Sequence, residues 1–163
     1  MLDLKPLTVP ELLRLHAVVL DELRHREILR SSNGPAGDYA EVLFSRAFGW
    51  ALQNNSSSGF DAIDGDGLRY QIKCRRLTPH NSSRQLSAIR KLTERPFDVL
   101  AAVLLDESFR VKRGALIPID IVGQEAKFTQ HTNSSRFLLR DAIWTLPGVR
   151  DVTAELKAAE GTM

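Results

Sequence analysis

The chain predicts a tight hairpin within residues 59–73, which read GFDAIDGDGLRYQIK. Both halves of this stretch carry the β-branched and aromatic residues that favour strands, and the Gly-Asp-Gly segment at 65–67 supplies a turn between them. Because side chains alternate between the two faces of a strand, Gln71 and Lys73 share one face. Tyr70 points to the opposite face, which we expect to be the core side.

The length of the turn decides which side chains meet across the hairpin. A three-residue loop sets Asp61 directly opposite Gln71, and a glycine in the left-handed conformation suits such a loop. A two-residue loop would set Asp61 opposite Tyr70 instead, because a slip of one residue moves every side chain to the other face. We predict the three-residue loop, which brings an aspartate beside a glutamine and a lysine.

This spacing resembles the signature of a known nuclease superfamily. Asp61, then nine residues, then the Gln-Ile-Lys run at 71–73 is similar to the PD-(D/E)XK, or restriction-endonuclease-like, motif. The match is to the variant in which glutamine replaces the second acidic residue, and Phe60 stands where the motif's name has proline. Many members carry a glutamate on the helix before the first strand, and Glu41 is the matching residue. The resemblance covers residues 37–120.

The resemblance implies a fold and a metal site. The implied fold is a single α/β domain with a restriction-endonuclease-like core, in which helices flank a mixed, mostly antiparallel central sheet. The implied catalytic residues are Asp61, Gln71, Lys73 and Glu41, with Asp61, Glu41 and Gln71 around Mg²⁺ or Mn²⁺. Magnesium prefers hard oxygen ligands and keeps several waters, so one or two carboxylates are enough. Lys73 is then expected beside the attacking water.

The chain length of 163 residues suits one domain with a substantial core. We expect this domain over residues 1–163, with an N-terminal helix in 1–30, a nuclease-like core in 37–120 and a C-terminal elaboration in 121–163. Thr8 and Glu11 have the spacing of a capping box at the start of the first helix.

Composition narrows the class of protein. The hydrophobic fraction of 43% and the charged fraction of 26% are ordinary for a globular protein. A single cysteine, Cys74, excludes an internal disulfide framework and a multi-cysteine zinc site, and it falls on the expected core face. No stretch has the length of a membrane span or the layout of a signal peptide, so we expect a cytoplasmic protein without a membrane partner.

Positive charge is concentrated in one segment, although the whole chain has a net charge of only +2. Residues 69–95 contain eight basic residues and one acidic residue, Glu94, which gives the segment a net charge of +7. Such a stretch is the footprint expected for a phosphate backbone, and its few aromatic residues favour a duplex over unpaired bases. Alternatively, it balances acidic helices elsewhere. The expected nucleic-acid contacts are Arg69, Arg75, Arg76, Arg84, Arg90 and Lys91.

Local patterns predict the remaining elements. We expect the first helix to run to about Leu29, and Asp38 to cap the second helix. The apolar residues of 84–92 have helical spacing, and the nearly continuous apolar run at 97–105 is typical of a central strand buried on both faces. A partner strand is expected to end before Pro118. Four C-terminal residues have the character of core: Leu138, Leu139, Ile143 and Trp144.

The sequence therefore predicts a metal-dependent DNA endonuclease that hydrolyses phosphodiester bonds in restriction or repair, with double-stranded DNA as its partner. Two other classes stay open. One is a nuclease-fold DNA-binding module with weak or no catalysis, which the neutral Gln71 favours. The other is a protein-interaction domain whose basic face meets an acidic partner. A homodimer is also compatible, because two related sites can cut the two strands of a duplex.

Overall fold

A computed structural model describes residues 3–54 and 59–163, and within them the chain forms four α-helices and nine β-strands. None of these helices combines the length and the apolar character needed to cross a bilayer. The helices are α1 (Val9–His25), α2 (Pro35–Phe48), α3 (Ile119–Glu125) and α4 (Thr153–Glu160). The strands are β1 (Ala51–Leu52), β2 (Ala62–Ile63), β3 (Arg69–Arg76), β4 (Ile89–Arg90), β5 (Val99–Leu105), β6 (Val111–Pro118), β7 (Lys127–Thr129), β8 (Ser134–Arg136) and β9 (Arg150–Asp151).

Six strands form the central sheet, in the order β1-β2-β3-β5-β6-β9. Strands β3 and β5 run parallel, and every other neighbouring pair is antiparallel. A parallel pair needs a long crossover connection, which here is the segment 77–98. Strands β4, β8 and β7 form a second, small antiparallel sheet. The protein is therefore a single α/β domain with a mixed, mostly antiparallel sheet, as its sequence predicts.

The hairpin of β2 and β3 has the predicted three-residue loop. Ala62 pairs with Tyr70 across the hairpin, and continuation of this register sets Asp61 opposite Gln71. Gly67 occupies the last loop position with φ of +85°, a left-handed conformation that glycine adopts without steric cost. The alternation of side chains along β3 therefore places the residues of the motif on the face that the pattern predicts.

The central sheet separates two apolar cores. On one face, Tyr70, Ile72 and Cys74 of β3 pack with residues of α2 and α4. The other face carries Leu100, Ala102 and Leu104 of β5, and α3 and the small sheet contribute to the core that covers it. Residues 100–105 are at most 2% exposed, which confirms the expectation of a central strand buried on both faces.

Helix α1 begins with the expected capping box and ends earlier than expected. The backbone N–H and the hydroxyl of Thr8 both donate to Glu11 Oε2, each at 2.7 Å. The helix ends at His25 and not near Leu29, so the N-terminal helix fills only part of the range 1–30. Glu27 adopts a left-handed conformation with φ of +60°, which no helical residue can have, and the chain leaves the helix there.

The apolar side of α1 is only partly covered by the rest of the chain, because Leu15, Leu20 and Leu23 are half-buried. The helix contains no buried residue. A leucine- and valine-rich helix face normally packs on a core, so this is an unusual exposure of apolar surface. Half of the large hydrophobic side chains that are exposed in the described residues lie in this helix: Val9, Leu12, Leu13, Val18 and Val19.

Helix α2 begins at Pro35, so the prediction that Asp38 caps it is wrong. Proline fits the first position of a helix because its φ is already helical and its missing N–H would have no partner there. Asp38 lies in the first turn with 5% exposure. Its carboxylate accepts hydrogen bonds from the backbone N–H groups of Arg30 and Ser31, both at 2.7 Å, and therefore fastens the preceding loop to the helix.

The segment 84–90 is largely extended and forms no α-helix, contrary to the prediction, and a short 3-10 turn follows at Leu92–Glu94. Leu86 donates its backbone N–H to Phe137 at 3.0 Å, and Leu139 donates to Arg84 at 3.1 Å. Strand β4 continues this pairing with β8. The apolar residues of this segment have helical spacing. Their backbone N–H and C=O groups are nevertheless hydrogen-bonded to residues 134–139, and this pairing favours an extended conformation over a helix.

The predicted C-terminal core is only partly correct. Leu139 and Ile143 are buried, whereas Leu138 is 42% exposed because it points away from the core as its neighbours point inward. Trp144 is half-buried and donates its indole N–H to the Gly114 carbonyl at 2.9 Å. The tryptophan therefore packs against the sheet and is not an open stacking platform.

Candidate active site

Asp61 lies where the pairing of the hairpin ends. Its backbone N–H donates to the Tyr70 carbonyl at 2.8 Å, next to the last residue pair of β2 and β3, Ala62 and Tyr70. Its carboxylate then accepts the backbone N–H of Ile72 at 2.6 Å and the side-chain amide of Gln71 at 3.1 Å. The side chain thus takes the place of a strand partner, and this fixes the carboxylate against β3.

Gln71 and Lys73 lie next to each other on one face of β3, and both are half-buried. Their neighbours on the parallel strand are Leu100 and Ala102. The amide of Gln71 donates to Asp61 through its nitrogen, and its oxygen is a neutral ligand type. The two side chains therefore bring an amide and an ammonium group to the same side of the sheet as the Asp61 carboxylate.

Glu41 approaches this group from α2, and its side chain is 17% exposed. Burial and, to a smaller extent, the negative charge of Asp61 together raise the pKa of Glu41 to about 7. Arg30 and Lys73 act in the opposite direction. Asp61 and Lys73 thus act electrostatically on Glu41, and Asp61 is hydrogen-bonded to Gln71, which links the four residues of the motif.

Arg30 is a member of the site that sequence reasoning missed. Its guanidinium donates to Glu41 Oε2 at 3.0 Å and to the Gln53 carbonyl at 2.6 Å. It lies in the loop after α1, eleven residues before Glu41. No motif or periodicity marks this position, so only the folded structure reveals the contact.

The donor set fits a divalent cation of the magnesium type. Two carboxylates, Asp61 and Glu41, and one amide, Gln71, are hard oxygen donors, and magnesium takes its other ligands from water. Within residues 3–54 and 59–163, no three histidine, cysteine, aspartate or glutamate side chains form a group that could hold a metal. A softer metal that needs several nitrogen or sulfur ligands does not suit this site.

Cys74 belongs to the core and not to the site. It packs against the apolar residues on the α2 side of the sheet, as the alternation of β3 predicts. Burial raises the pKa of its thiol to about 11. The reactive form of cysteine is the thiolate, so this thiol is chemically quiet at neutral pH.

Arg69 has a different position from the one expected of a nucleic-acid contact. Its side chain binds the two carboxylate oxygens of Asp98, at 3.0 and 2.9 Å, and its backbone N–H donates to the same carboxylate. These bonds hold the pKa of Asp98 below its usual range. The arginine thus joins the beginnings of the parallel strands β3 and β5, and its charge is matched within the protein.

Two other expected contacts are also paired with acidic groups. Arg84 binds Asp141 at 2.7 Å, and Asp141 is shared with Arg113 at 3.1 Å. Lys91 lies 3.8 Å from Glu94. The positive charge of the basic segment is therefore smaller in the folded protein than the sequence indicates, because Asp98 and Asp141, which lie outside the segment, bind Arg69 and Arg84.

Three arginines of the segment keep an unmatched charge. Among the described residues, no carboxylate lies within ion-pair distance of Arg75, Arg76 or Arg90. Arg75 donates to the Ser83 carbonyl at 3.0 Å, and Arg76 lies over the ring of Phe109 at 4.2 Å. Arg90 is exposed in β4. These three side chains are the best placed of the expected contacts to meet an external anion.

Comparison with known proteins adds no assignment. No protein-family model matches the chain. No curated protein matches it either.

Proposed function

We propose that this protein is a metal-dependent DNA endonuclease of the PD-(D/E)XK type, which hydrolyses phosphodiester bonds in restriction or repair. One observation carries the proposal. Asp61 and Gln71 are in hydrogen-bond contact, and Asp61 and Lys73 both act on the pKa of Glu41. A pair of carboxylates, a neutral oxygen ligand and a cationic side chain are the groups that metal-assisted hydrolysis of a phosphodiester requires.

The residues have separate roles in this proposal. Asp61 and Glu41 would hold Mg²⁺ or Mn²⁺ through carboxylate oxygens, and Gln71 through its amide oxygen. The bound ion supplies Lewis acidity and lowers the pKa of a water molecule. Lys73 contributes a compact positive charge, which orients the attacking water and stabilises the charge that develops on the phosphate.

The electrostatics of the site support a cation. Burial and the charge of Asp61 raise the pKa of Glu41 to about 7, so ionising Glu41 beside Asp61 is unfavourable in the absence of metal. A divalent cation bound between the two carboxylates would offset this repulsion. An ordinary surface pair of carboxylates would turn toward solvent, but Glu41 is 17% exposed and is fastened to Arg30.

The substrate that fits best is duplex DNA. Arg75, Arg76 and Arg90 have no carboxylate partner in the described residues. Arg75 shares the Lys73 face of β3, whereas Arg76 alternates to the opposite face and lies over Phe109. Phosphate contacts of this kind give salt-dependent binding without sequence specificity. We include Arg84 and Lys91 among the contacts, since their partners are exposed acidic side chains that a phosphate can replace.

A second candidate is a DNA-binding module without turnover. Gln71 occupies the position that carries a second acidic residue in many nucleases, and its neutral amide, which donates to Asp61, adds no negative charge. A site with this glutamine therefore binds a metal ion more weakly than a site with an acidic residue at the same position. This candidate predicts DNA binding that depends on salt and is indifferent to metal, whereas the nuclease predicts cleavage that requires metal.

A cleavage assay separates the two candidates. Supercoiled, linear and branched DNA are incubated with Mg²⁺ or Mn²⁺ and with wild type, Asp61→Asn, Lys73→Ala and a control, Lys112→Ala. Lys112 is exposed in β6 and far from the motif in sequence. Cleavage by wild type and the control, lost in the other two with DNA binding retained, supports the nuclease. Equal DNA binding and no cleavage by any of the four proteins supports the binding module.

We also propose that the protein is a homodimer through α1. The uncovered leucines and valines of this helix are the described surface that most needs a partner. In an antiparallel pair with a second copy, the dipoles of the two helices are opposed, which favours that orientation. Two copies would provide one site for each strand of a duplex.

A further inference from the structure

Arg30 connects the two chain segments that carry the candidate carboxylates. Its guanidinium donates to Glu41 Oε2 at 3.0 Å and to the backbone carbonyl of Gln53 at 2.6 Å. The backbone N–H of Gln53 donates in turn to the carbonyl of Asp61 at 2.8 Å. One arginine is therefore bonded directly to Glu41 and, through a single residue, to the backbone of Asp61.

Arg30 is itself held in place. The buried Asp38 accepts the backbone N–H of Arg30 at 2.7 Å, and the same carboxylate group accepts the N–H and the hydroxyl of Ser31. The arginine side chain is 24% exposed. Because Asp38 and Glu41 both belong to α2, the backbone and the guanidinium of Arg30 are fastened to the same helix. Because both its backbone and its guanidinium are fixed, Arg30 can orient the Glu41 carboxylate as well as neutralise its charge.

We propose that Arg30 is a positioning residue that fixes the Glu41 carboxylate relative to Asp61 for a divalent cation, an inference that rests on the proposed nuclease function. The planar guanidinium has several donors in a rigid fork, so it can bind Glu41 and Gln53 at the same time. Groups that orient metal ligands in this way commonly change metal affinity or activity by about 10- to 100-fold when they are replaced.

Two simpler roles for Arg30 predict different results. If it only neutralises Glu41, Arg30→Lys retains the positive charge and should preserve metal binding. If it only stabilises the fold, its replacement lowers the melting temperature without a specific effect on metal. A bridge between Glu41 and Gln53 requires the forked guanidinium group, so Arg30→Lys should lose nearly as much Mn²⁺ affinity as Arg30→Gln.

The test is the affinity of the full chain for Mn²⁺, measured by titration calorimetry at fixed pH, together with thermal unfolding of the metal-free protein. The variants are Arg30→Gln, Arg30→Lys and a matched control, Arg113→Gln. Arg113 is also a half-buried arginine that binds carboxylates, in this case Asp141 and Asp151. We expect roughly tenfold or greater loss of Mn²⁺ affinity in both Arg30 variants and no change in the control.

A double variant tests whether Arg30 acts through Glu41. Glu41→Gln alone should weaken Mn²⁺ binding, and Arg30→Gln added to it should cause no further loss. Wild-type affinity in either Arg30 variant, or an additive loss in the double variant, overturns the positioning role and leaves the nuclease proposal intact. If wild type binds no Mn²⁺, the nuclease proposal and this inference fail together.

Discussion

The Asp61 carboxylate accepts the backbone N–H of Ile72 at 2.6 Å and thereby ends the pairing of the hairpin at the point where the candidate site begins. The same side chain thus completes a strand edge and presents an oxygen to the site. Replacing Asp61 by alanine would remove both functions at once. The structure offers a way to separate them, because the two functions need different properties of the side chain.

Asp61→Asn and Asp61→Ala should differ in stability. Asparagine keeps an oxygen that can accept the Ile72 N–H, whereas alanine leaves this backbone group without its partner. An unsatisfied N–H costs about 1–3 kcal/mol, and we expect the alanine variant to be less stable than the asparagine variant by about this amount. Urea unfolding of the metal-free proteins measures the difference. Equal stabilities would show that water satisfies the Ile72 N–H as well as the carboxylate does.

Gln71→Glu should improve metal binding and destabilise the metal-free protein. The substitution places a third carboxylate beside Asp61 and Glu41 and removes the amide that donates to Asp61. A hard cation gains a charged ligand, so we expect Mn²⁺ to bind about tenfold or more tightly while the melting temperature without metal falls. Calorimetric titration and thermal unfolding give the two quantities. A lower metal affinity in this variant would contradict the proposed role of Gln71 as a ligand.

The stability of the metal-free protein should depend on the ionisation of Glu41. Its pKa is about 7 in the folded protein against an ordinary 4.5, so the folded state binds more protons than the unfolded state between these values. This contribution to stability is fully present below pH 4.5 and is lost as the pH rises through 7. Glu41→Gln should therefore be more stable than wild type at pH 8 and nearly equal to it at pH 4.

The size of this effect is limited by Arg30. Each unit of pKa is worth about 1.4 kcal/mol, but the glutamine variant also deprives the arginine of its anionic partner. We expect a gain of about 1–2 kcal/mol at pH 8, measured by denaturant unfolding. A stability difference that does not change between pH 4 and pH 8 would show that Glu41 does not titrate in this range.

The uncovered side of α1 gives a prediction about association. A charge introduced among exposed leucines and valines opposes burial of that surface, so Leu13→Glu should shift the protein from dimer to monomer. Arg14→Glu changes the neighbouring residue on the polar side of the same helix and should leave the dimer intact. Sedimentation velocity over a range of concentrations measures both. A wild type that is monomeric at high concentration would rule out the dimer.

The hairpin could be predicted because its determinants are local. A turn of two glycines and an aspartate sets the register, and the register sets the face of each side chain along β3. The positions of Asp61, Gln71 and Lys73 therefore follow from a few neighbouring residues. The burial of β5 also follows from its composition, since a nearly continuous apolar strand is stable only between two layers.

The features that could not be predicted depend on distant partners. Arg69 pairs with Asp98 and Arg84 with Asp141, at separations of 29 and 57 residues, so only part of the apparent charge of the basic segment is left unmatched after folding. The segment 84–92 has helical spacing, but Arg84 and Leu86 form their backbone hydrogen bonds with residues more than fifty positions further along the chain. No sequence pattern marks Arg30 as part of the site, because its role depends on contacts with Glu41 and Gln53 that exist only in the folded chain.

The bond between Arg69 and Asp98 has a consequence for the order in which the protein folds. The hairpin of β2 and β3 closes within a few residues, whereas the parallel pairing of β3 with β5 must first bring together residues 29 positions apart. Closing the longer loop costs more chain entropy, and non-local pairing of this kind is slow. We therefore expect the hairpin of β2 and β3 to form early and β5 to pair with β3 later. The rate of folding should then be limited by closure of the crossover segment 77–98 and not by formation of the turn at 65–67.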